Sequence, residues 1–153
     1  EKNRREQQCV TNYIGERLRT LTDRVTVTEP YTVRAAGLVH LRSDFSFTLP
    51  DMQGVGDVVA CLHPTPAVCG MPKDEAMKFI LANESFPRHY YSGFSGPIYN
   101  DGSTHLFVSL RCMHLSANHY DLYAGGGLLS DSVEQDEWKE TEAKLGTMKK
   151  LFS

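Results

Sequence analysis

The chain has 153 residues, 41% of them hydrophobic and 23% charged, which is an ordinary globular balance and enough for one domain with a real core. A formal net charge of -3 without a basic stripe argues against nucleic acid as a partner. No apolar run approaches the roughly 20 residues a membrane-spanning helix needs, and the charged start Glu1-Lys2-Asn3-Arg4-Arg5-Glu6 is unlike a signal peptide.

That start opens directly into a helical pattern without Met or a leader, so the segment is expected to belong to a longer chain. Val10, Tyr13, Ile14 and Leu21 recur at helical spacing and predict a helix over Glu6–Leu21. Thr22–Tyr31 is strand-like and ends at Glu29-Pro30; Gly37–Leu49 alternates through Leu38, His40, Phe45, Phe47 and Leu49 and reads as extended. Val55–Leu62 is a short helix stopped by His63-Pro64-Thr65-Pro66, because proline removes backbone donors and restricts its predecessor. Pro72–Glu84 is a helix with proline in its first turn and Asp74 and Glu75 near its positive end.

A β region follows. Asn100-Asp101-Gly102 signals a hairpin turn. His105–His114 alternates, with Leu106, Val108, Leu110 and Cys112 on one face and Phe107, Ser109 and Arg111 on the other. Ser116-Ala117-Asn118 turns into a strand over Tyr120–Ala124, Gly125-Gly126-Gly127 follows, and a long helix covers Val133–Phe152. Helices at both ends with strands between predict an α+β fold, an antiparallel β-sheet with flanking helices, in a single domain over 1–153.

Several residues could carry chemistry. At about 100° per residue, Glu137, Glu140 and Lys144 share one narrow arc of the last helix with Met148 and Leu151. Charges on an inward arc need partners, and a hard cation such as Mg²⁺ would satisfy the carboxylates; the alternative is an ordinary surface pair between Glu140 and Lys144. Glu6 shares an arc with Tyr13 and Leu21, or simply sits at a frayed first turn that the helix dipole favours. Arg111 in mid-strand could grip a carboxylate with both arms of its guanidinium, or lie on an exposed face. The three glycines either let a ligand approach the backbone or make a turn. His40 by itself is a structural histidine, and the four cysteines, Cys9, Cys61, Cys69 and Cys112, are scattered as reduced cytosolic thiols would be. No Ser/His/Asp or Cys/His constellation and no P-loop or dinucleotide loop stands out.

Several segments taken together resemble one family. They are His63-Pro64-Thr65-Pro66-Ala67-Val68-Cys69-Gly70-Met71-Pro72, Arg88 through Tyr91-Ser92-Gly93, Leu110-Arg111-Cys112, Tyr123-Ala124-Gly125-Gly126-Gly127, Glu137-Trp138-Lys139-Glu140-Thr141 with Lys144-Leu145, and the opening Glu1–Glu6. In order and spacing, over essentially the whole chain, they resemble the chorismate-utilising enzymes: isochorismate synthases, salicylate synthases, and the large chains of anthranilate and aminodeoxychorismate synthases. The resemblance implies the C-terminal half of that chorismate-binding fold, with the N-terminal half preceding it.

Carried over by position, Glu6 and Glu140 look like direct Mg²⁺ ligands and Glu137 like a support through water. Lys144 would lie beside the metal-bound ring carboxylate of chorismate. Tyr91 and Arg111 look like the pair holding the enolpyruvyl carboxylate, assisted by backbone N–H groups near Gly127, and His40 matches a histidine near the leaving hydroxyl. Ala67 stands where the amine-adding and salicylate-forming members carry Thr, which favours water as the nucleophile and isochorismate as the product. The general base, a lysine, and the general acid, a glutamate, have no matching motif here and are expected upstream.

Three departures stand out: Asn3 where an acid often precedes the metal glutamate, Arg88-His89-Tyr90-Tyr91-Ser92-Gly93 for the more usual Arg-Gly-x-Tyr-x-Gly, and Gly125-Gly126-Gly127 for Gly-Ala-Gly. Leu110 before Arg111 is a choice of bulk that yields no specificity.

The resemblance thus implies a cytoplasmic Mg²⁺-dependent isochorismate synthase, with menaquinone synthesis as the first pathway and siderophore synthesis as the second. The rivals are a salicylate synthase and a non-catalytic chorismate-binding module. The segment alone is expected to be inactive, with a weak metal site, and to self-associate through the apolar surface its missing half would cover.

Overall fold

The computed structural model describes residues 2–35, 38–51 and 54–152. Glu1, the Asn3 side chain and Gly37, the predicted start of the second extended stretch, lie outside the described set. The chain divides into two compact units, Glu1–Leu81 and Ala82–Ser153.

The first unit is built on helix α1 (Lys2–Leu18). It starts earlier than its apolar spacing predicts and stops at Leu18, where the Thr20 and Leu21 N–H groups bond Arg17 and Leu18 carbonyls three residues back and tighten the last turn. Tyr13 and Leu18 are its buried apolar side chains, and α1 packs on β1, β3 and α2. Gly15 faces the Phe45 ring, where a Cβ would stand in ordinary contact at 3.6 Å.

Strands β1 (Val25–Val27), β2 (Tyr31–Ala35), β3 (Leu38–Arg42) and β4 (Phe45–Phe47) form two nested antiparallel ladders, β2 on β3 inside and β1 on β4 outside. The second long extended stretch is therefore two short strands, whereas the first holds β1 alone, and β2 starts at its last residue and runs through positions the sequence reading left unassigned. Pro30 breaks the first stretch, and Asp44 breaks the second by taking a hydrogen bond from Tyr31 Oη at 2.5 Å and one from Arg42 Nε at 2.7 Å. Helices α2 (Gly54–Leu62) and α3 (Lys73–Asn83) fall where the proline pattern places them.

In the second unit, β5 (Phe94–Ser95) pairs with β6 (Phe107–Val108), extended by a bridge between Ile98 and Thr104 around the predicted Asn100–Gly102 turn. The β7 (Met113–Leu115) to β8 (Tyr120–Leu122) hairpin turns at Ser116, whose N–H bonds His119 O at 2.8 Å. Helix α4 (Glu134–Lys149) ends in a 3-10 turn, Lys150–Phe152.

The fold is α+β with antiparallel pairing, but among the described residues the strands form four separate two-stranded ladders. His105–His114 is not one strand. Its first part pairs with β5 and its last part with β8, and the chain changes partner at Arg111, whose φ of 47° lies in the left-handed region. Arg111 therefore sits at a kink and not on the strand face with Phe107 and Ser109.

Candidate functional site

In the second unit the predicted residues of the glycine run, α4 and the Tyr91 turn converge. Lys144 Nζ, about one-quarter exposed, donates to Gly125 O at 3.0 Å and pairs with Glu140 Oε1 at 2.7 Å. The i,i+4 pair read as the alternative thus exists, and Lys144 also reaches the glycine run. Glu137 lies one turn before Glu140, half-buried, with its Oε2 enclosed. A Cβ on Gly126 would stand 3.6 Å from Glu137 Oε2 and 3.8 Å from Lys144 Nζ. Glu137 also borders an open cavity of about 370 Å³ lined by Leu128, Leu129, Ser132, Glu134, Trp138 and Thr141. Met148 is half-buried on the same arc, whereas Leu151 falls in the 3-10 turn and is exposed.

Gly125 is there for room. Gly125–Gly127 lie in a stretch without regular secondary structure, the turn comes later at Ser130-Asp131, and a Cβ on Gly125 would stand 2.6 Å from the Tyr91 hydroxyl. Tyr91 is half-buried and stacks on Tyr123 with ring centroids 5.7 Å apart. Burial pushes its phenol above the ordinary value, and the nearby Arg88 charge partly opposes this.

The turn that carries Tyr91 is strained and bonded. Ser92, buried, has φ 65° and His89 φ 48°. Such conformations cost about 1–3 kcal/mol each and persist where the surroundings hold them. Here Tyr91 N–H bonds Arg88 O at 2.8 Å, Ser92 N–H bonds Ser109 O at 2.9 Å, and Ser109 N–H bonds Gly93 O at 2.8 Å. The last two tie the turn to the segment leading into Arg111. Arg88 Nη1 donates to Ser92 Oγ at 3.1 Å, its Nε donates to Glu84 Oε2 at 2.7 Å, and its Nη2 also bonds Glu84. The Arg88 hydrogen bonds hold the Glu84 carboxyl below the usual carboxylate range. Reading the sequence left Arg88 without a role, although the Glu84–Arg88 spacing of four was a signal.

Glu6, His40 and Ala67 belong to the first unit. Glu6 is half-buried in the second turn of α1, so the frayed first-turn alternative fails: the helix begins at Lys2. His40 is half-buried in β3, opposite Val33 in the ladder. Ala67 is exposed in the loop between α2 and α3, where Val68 and Cys69 N–H groups both bond Thr65 O at 3.1 Å.

Lys73 anchors that loop, a role the sequence did not suggest. Its Nζ donates to His63 O at 3.0 Å and to the Tyr13 hydroxyl at 3.2 Å. Tyr13 and Lys73 are 60 positions apart, so no local pattern could pair them. Burial first, and the Lys73 charge second, lower the His63 imidazole below its ordinary value.

The donors suit a hard cation in kind, since Glu6, Glu137 and Glu140 offer only carboxylate oxygens. They divide between the units, Glu6 in the first and the other two in the second. Among the described residues no group of three or more His, Cys, Asp or Glu is placed to hold a metal by itself. All four cysteines are free thiols, and no described helix is long and apolar enough to cross a membrane.

The second unit thus brings together a glycine run, two glutamates one helical turn apart and a tyrosine turn tied to an arginine kink. The family model described as chorismate binding enzyme matches residues 1–153, and the chain belongs to this family. Within it, the chain is 33% identical over 153 residues to the isochorismate synthase EntC of Escherichia coli K12, covering 99% of this chain and 39% of that one. It is 36% identical over 155 residues to the isochorismate synthase MenF of the same strain, covering 99% and 35%. Among solved structures it is similar to a Bacillus anthracis protein described as a 2,3-dihydroxybenzoate-specific isochorismate synthase, with a TM-score of 0.87, 32% identity, and coverage of 95% of this chain and 40% of that one. The chain thus spans about two-fifths of the length of these relatives.

Proposed function

We propose that this chain is the chorismate-gripping portion of an isochorismate synthase, which converts chorismate to isochorismate by adding water at ring C2 and expelling the C4 hydroxyl. The observation that carries this reading is similarity to isochorismate synthases along the whole chain, with Tyr91, Gly125 and Lys144 converging in the second unit.

In this reading Tyr91 and Arg111 hold the enolpyruvyl carboxylate, with backbone N–H groups near Gly127 assisting. A phenol raised by burial keeps its proton and can donate it to a carboxylate. Arg111, at its kink, supplies a planar fork that a lysine could not replace. Glu6 and Glu140 would hold Mg²⁺, with Glu137 supporting it through water; bound there, the ion supplies charge neutralisation for the ring carboxylate. Lys144 fixes the glycine run and sits beside that carboxylate. His40 lines the ring near the leaving hydroxyl, and Ala67 leaves room for water as the nucleophile. The general base and acid come from outside this segment.

The test is product analysis of the natural full-length protein given chorismate and Mg²⁺. Isochorismate alone is expected. Salicylate with pyruvate would favour the salicylate-synthase reading, and anthranilate or aminodeoxychorismate in ammonium buffer would refute the role of Ala67. No turnover with intact chorismate binding would leave a non-catalytic binding module. The reading includes a cytoplasmic location and menaquinone synthesis, with siderophore synthesis second. The 153-residue segment alone is expected to be inactive, to bind Mg²⁺ weakly and to self-associate through exposed apolar side chains such as Phe94, Phe107 and Leu110. Chorismate turnover by the segment, or strictly monomeric light scattering, would contradict those expectations.

A further inference from the structure

We propose that Arg88, braced by Glu84, is the positioning residue for Tyr91: it fixes the left-handed Ser92 turn and covers the Tyr91 ring, so that the phenol is presented beside Gly125. The proposal rests on the reading that Tyr91 grips the substrate carboxylate.

The guanidinium is already engaged. Nε and Nη2 are turned to Glu84, Nη1 donates to Ser92 Oγ at 3.1 Å, and the guanidinium carbon lies 5.8 Å from the Tyr91 ring centroid. A planar fork can make these contacts together; an ammonium cannot. The result is a brace from an exposed carboxylate to a buried hydroxyl, directly under the residue that must point correctly. Ser92 is the described buried polar residue of the chain, and its φ of 65° is strained for a residue with a Cβ. Without Arg88 the turn can relax toward an ordinary conformation, which swings the adjacent Tyr91 away from Gly125. The phenol oxygen lies against the Gly125 backbone, in space that a Cβ there, 2.6 Å away, would take. A small rotation of the turn therefore removes the hydroxyl from its site.

The experiment uses the natural full-length protein with chorismate as the probe and compares Tyr91→Phe, Arg88→Gln, Glu84→Gln and the Arg88→Gln/Tyr91→Phe double variant. Arg88→Gln should raise KM about ten-fold or more, as loss of a hydrogen bond to a charged group does, with kcat changed much less. Glu84→Gln should act in the same direction by a smaller factor, which keeps the test open if Arg88→Gln does not fold. The double variant should be no worse than Tyr91→Phe, because two residues acting through one contact are not additive. Alkaline absorbance titration, taken as the difference from Tyr91→Phe, should show the Tyr91 phenol ionising at higher pH in Arg88→Gln, where the favourable charge is gone. Additive effects in the double variant, or an unchanged KM and titration in both Arg88→Gln and Glu84→Gln, overturn the proposal. If Tyr91→Phe alone leaves KM unchanged, the substrate role of Tyr91 fails instead, and the titration still decides whether Arg88 holds it.

Discussion

The two units are stabilised differently. The first has a buried seam: Leu18 is 1% exposed and Tyr13 5%, and α1 carrying both packs on two strands and a helix. The second buries Ser92 and leaves Phe86, Phe94, Phe107, Leu115 and Trp138 largely exposed. Its strands are two or three residues long, and its three non-glycine residues with positive φ are His89, Ser92 and Arg111. What orders its site is polar: the Glu84–Arg88–Ser92 brace, the Ser92–Ser109–Gly93 backbone bonds and the Glu140–Lys144–Gly125 link. Apolar burial gives stability without direction, whereas hydrogen bonds aim groups at the expense of strain and desolvation. Substitutions in the Tyr13–Leu18 seam should therefore mainly change stability, and those in the polar links of the second unit mainly change function.

The largest expected effect breaks the first unit. Leu18→Ala removes the most buried side chain among the described residues and should cost about 2–5 kcal/mol of stability, read as a lowered denaturation midpoint. A loss within measurement error would mean that α1 is not the seam. Next comes Glu140→Gln in the full-length protein. It should lower turnover by about 10² or more and weaken the Mg²⁺ dependence, as removing a charge-stabilising group does, while the Glu140–Lys144 surface pair contributes only about 0.3–0.5 kcal/mol to stability. Near-normal turnover at limiting Mg²⁺ would leave Glu140 as a surface residue. Arg111→Lys should then raise KM for chorismate by about ten-fold or more, since a point charge cannot replace the fork; wild-type kinetics would sink its substrate role.

The contrast also explains what could be read in advance. Periodicity and punctuation located every helix, because Val10, Tyr13 and Ile14 repeat on one face and Pro64, Pro66 and Pro72 stop and start the chain. Alternation located much of the β structure but missed β2 beyond Tyr31 and the breaks inside the longer stretches. His105–His114 alternates throughout, yet the exchange of partner at Arg111 depends on β5 and β8, residues away in sequence. Helical geometry alone put Glu137, Glu140 and Lys144 on one arc, of which Glu137 and Lys144 are half-buried and Glu140 is exposed. The particular ligand set came from resemblance, and its metal remains a proposal. Invisible in the sequence were the long-range anchors, Lys73 on Tyr13 and the Tyr91 hydroxyl against Gly125, because only tertiary packing brings those positions together.

A smaller effect sharpens the picture at the glycine run. Gly125→Ala places a methyl 2.6 Å from the Tyr91 hydroxyl, closer than atoms can stand, so the phenol must move. Overpacking of this kind costs about 1–3 kcal/mol where the neighbour cannot yield, but the half-buried Tyr91 side chain can rotate without moving the bonded turn. The expected outcome is a KM for chorismate raised several-fold with little change in the denaturation midpoint. A large stability loss with unchanged KM would mean that the second unit too is governed by packing.

The smallest effect is in the pH dependence, where the units should part. Burial and the Lys73 charge lower His63 in the folded first unit from the ordinary imidazole value of 6.5. Between the lowered value and 6.5 the unfolded chain binds more proton than the folded one, so stability rises with pH there and is lost as pH falls below 6.5. Glu84, in the second unit, is lowered from 4.5 by Arg88, so its contribution is intact above 4.5 and lost only in stronger acid. Denaturant titrations at pH 7.5 and 5.5 should therefore show a drop in stability that His63→Asn diminishes and Glu84→Gln does not. The chain has one tryptophan, Trp138 in α4, so its fluorescence reports the second unit, and circular dichroism at 222 nm reports the helices of both. If the units respond separately, the helical signal should respond to His63 in this window while Trp138 stays unchanged. Equal sensitivity of both probes to His63→Asn would mean that the units unfold as one, and the contrast drawn between them would then concern local order alone.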